Sequence, residues 1–64
     1  MKPTEIRELG LEDLWRKLAD LKEEHSNLKF QHATGQLENP MRLPQTKKDI
    51  ARVMTEIRQK ELAQ

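Results

Sequence analysis

Four side chains in the last third of the chain, Lys48, Arg52, Thr55 and Gln59, are spaced 4, 3 and 4. On a helix turning ~100° per residue they form one outward stripe. Lys47 and Arg58 flank it, while Asp49 and Glu56 fall together on a separate edge, so the stripe carries no carboxylate. Cations and hydrogen-bonding groups in a row can hold phosphates. A merely solvated face is the bland alternative, although such faces normally mix both signs. Other chemistry finds little support. His25 and His32 are seven residues apart, whereas two metal ligands converge from one helix only at i, i+3 or i, i+4. No Cys is present to complete a set. Ser26, Thr34, Thr46 and Thr55 are the only plausible nucleophiles, and no glycine-rich phosphate loop accompanies them. The reading is no enzyme, no cofactor, no metal and no small-molecule substrate.

The elements that must carry the stripe are helices. Leu11, Leu14, Leu18, Leu21, His25, Leu28 and His32 repeat at 3 and 4 residues, a heptad seam and the strongest pattern in the chain. Gly10 stands where a capping Ser, Thr or Asp would serve better, Glu12 and Asp13 suit the helix dipole, and Thr34-Gly35 reads as a stop with Gly35 left-handed. These signs predict a helix from about Leu11 to Thr34. Asn39-Pro40 reads as a cap and first helical residue opening a second helix to about Leu62. Its seam is Leu43, Lys47, Ile50, Met54 and Ile57, flanked by Val53. Pro44 lacks an N–H and disfavours helical geometry at Leu43, so either the first turn is kinked or the regular helix starts at Pro44. Thr4 to Leu9 suits one helical turn that lays Ile6 and Leu9 over the open end of the core. The short link from Gly35 to Asn39 predicts an all-α fold, an antiparallel two-helix hairpin with a short N-terminal helical turn.

Sixty-four residues suit one domain spanning residues 1–64, and a chain of this size buries only about 60% of its unfolded surface. With one Trp, one Phe and no Tyr or Cys, it should be marginal alone and gain stability from a partner. No apolar run approaches the ~18 residues of a membrane span, and Met1-Lys2-Pro3-Thr4 leads into polar sequence rather than a signal peptide, which predicts a soluble cytoplasmic protein with no membrane partner. The net charge of +1 is unevenly spread. Leu11 to Thr34 holds five acids and four bases, whereas Pro40 to Leu62 holds six bases and three acids. A polyanion would be met by the second helix. Trp15 sits at the edge of the first seam, as a cap on the core or as a contact. Phe30 projects away from the seam among polar neighbours; either Leu37 or the loop covers it, or it inserts into a partner.

Several stretches together resemble a known family: Met1-Lys2 with Glu5-Ile6-Arg7, then Leu28-Lys29-Phe30-Gln31, and the loop from Ala33 to Pro40. Lys47-Lys48-Asp49-Ile50-Ala51-Arg52 with Thr55 completes the match. Along nearly its whole length the chain is similar to the bacterial large-subunit ribosomal protein family number twenty-nine. The resemblance implies a long α-hairpin bound to large-subunit ribosomal RNA near the rim of the polypeptide exit tunnel, beside a neighbouring ribosomal protein (number twenty-three). It implies RNA-facing roles for Lys47, Lys48, Arg52 and Arg58, with Gln31, Gly35 and Gln36 near the loop. Two positions depart from the family pattern. Gly10 replaces the usual Ser or Thr, and Pro44 replaces a helix-compatible, often basic residue. The leading expectation is therefore a structural RNA-binding protein of the large ribosomal subunit. A coiled-coil interaction module, suggested by the heptad seam alone, is the alternative.

Overall fold

The computed structural model describes residues 2–63. Three helices follow one another, α1 (Pro3–Glu8), α2 (Leu11–Ala33) and α3 (Arg42–Ala63), with no strand among the described residues. Helices α2 and α3 pack as an antiparallel hairpin and α1 folds back onto α3. The result is a rod of 44 × 17 × 14 Å. The hairpin and the N-terminal turn both match expectation.

Backbone chemistry at the helix ends follows the residues found there. Gly10 is extended (φ −71°, ψ 167°) and offers α2 no side-chain cap, so Glu12 and Asp13 in the first turn are left to complement the dipole. At the other end Gln36 N–H donates to the Gln31 carbonyl at 2.7 Å, and Gly35 N–H to the His32 carbonyl at 3.2 Å. This pair of reverse bonds requires a left-handed residue between them, and Gly35 supplies it with φ 75°. Thr34 adds its hydroxyl, donating to the carbonyls of Phe30 and Gln31. A Cβ at Gly35 would meet no atom within 4 Å, so substitution is opposed by backbone conformation alone. Gly35→Ala should cost about 1–2 kcal/mol, read as a lower urea midpoint, with Gly35→Asn milder. An unchanged midpoint for the alanine variant would remove this account of the loop.

The second helix opens differently from expectation. Asn39 does act as a cap, its Oδ1 accepting from Met41 N–H at 3.1 Å. Pro40 and Met41, however, form a tight turn, and regular helix begins at Arg42 rather than at Pro40. Pro44 is the physical reason. It has no N–H to give the Pro40 carbonyl, which accepts instead from Leu43 N–H at 3.2 Å, one residue short of the α-helical partner. Of the two alternatives it is therefore the first turn that adjusts, and regular helix does not wait for Pro44.

The core lies toward the α1 end. Ile6, Leu14, Leu18, Leu21, Val53 and Ile57 are buried together, with Leu9, Leu11 and Ile50 packed against them. Ile6 and Leu9 thus close the open end as expected, and the Lys60 ammonium donates to the Arg7 carbonyl at 3.1 Å, tying the last turn of α1 to α3. The seam of α3 is corrected. Met54 is 51% exposed and Lys47 is exposed, while Val53 and Thr46 are buried. The inward line runs through Leu43, Thr46, Ile50, Val53 and Ile57, turned by roughly half of the ~100° step between residues. Burying Lys47 would cost the hydration of its charge. Thr46 avoids a comparable cost, because its hydroxyl donates to the Arg42 carbonyl at 2.6 Å. In α2, His25 is half-buried, whereas His32, expected on the seam, is exposed.

Candidate nucleic-acid interface

Because α3 turns Val53 and Ile57 inward, Lys48, Arg52, Thr55 and Gln59 all point outward and all are exposed. The corrected seam leaves this stripe directly opposite the core. Lys47 and Arg58 lie exposed on one edge, beside the small exposed Ala51, where a sugar–phosphate backbone could come close. Along α3, Lys48 and Gln59 are ~16 Å apart at 1.5 Å per residue.

The hydroxyl of Thr55 is already engaged, donating to the Ala51 carbonyl at 2.9 Å. A phosphate offers only acceptors, so in this rotamer Thr55 can accept a hydrogen bond from a 2′-hydroxyl but cannot donate one to a phosphate. The lower part of the stripe also has a neighbour that sequence reasoning did not provide. Pro3, Ile6 and Arg7 of α1 share a surface depression with Arg52, Thr55, Glu56 and Gln59. This brings a further cation, Arg7, alongside the stripe, and it also brings Glu56 to its margin. The amphipathic turn around Ile6 was the available signal. That turn signals that α1 docks on the core through Ile6, while only the packing of α1 puts Arg7 on the α3 side.

At the loop end, Gln31 and Gln36 meet in a concavity of about 460 Å³ that also takes in Leu28, Leu37, Asn39 and Arg42. Arg42 is held there by an ion pair with Glu24 of α2. Gly35 contributes conformation rather than a donor, since its N–H is bonded to His32. The site residues therefore form two groups, the α3 stripe and the loop corner, at different heights along the rod. Leu37 lines this concavity with Leu28 and Phe30 is 67% exposed, so the loop does not cover that ring.

The family model described as Ribosomal L29 protein matches residues 4–60. The chain belongs to the ribosomal L29 protein family. It is 60% identical over 60 residues to the large ribosomal subunit protein uL29 of Syntrophotalea carbinolica, covering 94% of this chain and 97% of the relative. It is 61% identical over 62 residues to the protein of the same name from Natranaerobius thermophilus, covering 97% and 95% respectively. The corresponding Leuconostoc citreum protein is 58% identical over 62 residues, with 97% and 91% covered. As a member of the L29 family the chain is a structural constituent of the large ribosomal subunit, found with the ribosome in the cytoplasm, and not an enzyme. Among the described residues no helix is long and apolar enough to cross a membrane.

Proposed function

We propose that this chain binds ribosomal RNA of the large subunit through the outer stripe of α3, and that it does so near the polypeptide exit tunnel beside a neighbouring ribosomal protein. The observation that carries the reading is the exposed row Lys48, Arg52, Thr55 and Gln59, with no carboxylate in it, facing away from the core. Lys47, Arg58 and Arg7 widen it, and Gln31, Gly35 and Gln36 form a second contact at the loop. Recognition is of backbone and shape, because folded RNA presents phosphates and 2′-hydroxyls more readily than base edges. Phe30, 67% exposed near the end of α2, is assigned to the protein neighbour, and the exit-tunnel position rests on the resemblance of the whole chain to its family. The coiled-coil alternative loses its basis, since Leu14, Leu18 and Leu21 of the α2 seam are buried with Val53 and Ile57 of α3 in the same chain.

The test is co-sedimentation of the full chain with deproteinised large-subunit RNA across a salt series. The expected result is association that weakens as salt rises, with log affinity falling by roughly 0.7–0.9 per phosphate contact against log salt. Association absent at low salt, or insensitive to salt, would end the proposal. In the same assay Phe30→Ala should bind naked RNA as wild type does, losing retention only when the neighbouring protein is present.

A further inference from the structure

The hairpin has two unlike broad sides. One side is crossed by α1, and the groove there is edged by Glu5, Asp13 and Asp20 together with Arg16 and Lys17. On the other side α2 and α3 form a groove in which Trp15 and Lys22 face Met54 and Arg58, with Leu18 and Ile57 beneath and Glu61 at one end. Trp15 is 50% exposed and Met54 51% exposed, an indole and a thioether held at the surface between two cations. Helix periodicity extends the pattern. Lys29 lies two turns beyond Lys22 on α2 and Lys47 three turns before Arg58 on α3, both exposed. Among the described residues, the groove itself holds Lys22 and Arg58 with one carboxylate, Glu61, Lys29 and Lys47 continue the cationic line along the rod, and Glu12 lies exposed a turn before Trp15.

We propose that this side is a third RNA contact, beyond the α3 stripe and the loop, in which Trp15 stacks on an unpaired base while Lys22 and Arg58 hold the flanking phosphates. The inference rests on the RNA-binding reading above and adds a face, a residue and a mode of contact to it. Charge selects the occupant, because Lys22, Lys29, Lys47 and Arg58 make a line of cations along this side that outnumbers its carboxylates and so complements a polyanion. Size selects it as well. Two half-exposed apolar side chains fall far short of the ~800 Å² per partner of a standard protein interface, but they match the face of one base. Base–aromatic stacking with nearby arginine is a recurrent mode for unpaired nucleotides. With Lys47 and Arg58 at the shared edge, RNA can pass from the α3 stripe onto this side without crossing an acidic margin.

Trp15 is the one Trp in a chain without Tyr, so its emission reports on this face alone. The full-length chain is titrated with deproteinised large-subunit RNA while emission and acrylamide quenching are followed. Filter binding then compares wild type, Trp15→Leu and Trp15→Phe, with helicity checked by circular dichroism. The expected result is quenching and shielding of Trp15 at stoichiometric RNA, a roughly 5- to 150-fold loss of affinity for Trp15→Leu, and recovery of most of it in Trp15→Phe. Salt-sensitive binding by wild type with unchanged emission, and a Trp15→Leu variant that binds normally, would overturn this inference and leave the α3 stripe standing. Shielding of Trp15 only in the assembled subunit, never by naked RNA, would overturn it in favour of a protein occupant. Failure of wild type to bind at all would remove the underlying reading as well. The wild-type emission measurement needs no substitution, so the proposal stays testable even where Trp15→Leu does not fold.

Discussion

The double variant Lys48→Glu/Arg52→Glu is expected to bind large-subunit RNA roughly 10²- to 10⁴-fold more weakly than wild type while remaining helical. On the proposed interface each reversal would remove a charge-assisted hydrogen bond to a phosphate, worth about 1.5–3 kcal/mol, and put a carboxylate in its place. Both positions are exposed on the side of α3 away from the core, so the fold should tolerate the change. The salt dependence is the more specific readout, since fewer phosphates neutralised means a flatter slope of log affinity against log salt. A control is Glu23→Lys, which reverses an exposed charge in the middle of α2 without touching the stripe and should not weaken binding. Glu24 is unsuitable for that purpose because it pairs with Arg42 at the loop corner. Binding by the Lys48/Arg52 variant as tight as wild type across the salt series would show that the assigned face is wrong.

Leu14→Ala should leave the isolated chain largely unfolded. Leu14 is fully buried, at 0% exposure, in the cluster where α1, α2 and α3 meet. Truncating a buried leucine costs about 2–5 kcal/mol through lost transfer energy and the cavity left behind. A core in a chain this short supplies about 3–5 kcal/mol in all. Thermal unfolding followed by circular dichroism should show the loss, and RNA should restore part of the helicity by binding only the folded form. Met54→Ala is the contrasting case. A side chain half in solvent should cost about 1 kcal/mol or less, although a seam drawn from sequence alone had placed Met54 inside. Comparable destabilisation in the two variants would contradict the packing described for α3.

Much of the fold is legible locally because its determinants are local. The heptad leucines of α2, the left-handed Gly35 and the Asn39 cap each act within a few residues, and each performs the role its type implies. The outward stripe was legible for the same reason. Lys48, Arg52, Thr55 and Gln59 are set at 3 and 4 residues, and any helix through them keeps them together. The start of α3 was less so, because Pro44 had two plausible remedies and only the geometry of the Pro40 carbonyl chose between them.

By itself, then, the sequence determined two amphipathic helices, the turn between them, the family likeness and the existence of a basic row. Tertiary structure decided how α3 is rotated about its axis, exchanging Lys47 and Met54 for Thr46 and Val53 at the seam. A periodic pattern defines a helical face only to within part of a turn. The final angle depends on which charge can stay hydrated, which hydroxyl finds an internal acceptor and which side chain fits opposite Leu14 and Leu18. It also decided that α1 crosses one broad side of the hairpin, bringing Arg7 next to Arg52 and leaving Trp15 and Met54 together on the other. Those pairings join residues about 40 positions apart in the chain. No spacing rule reaches that far, and only packing of the three helices around one small core brings such residues together.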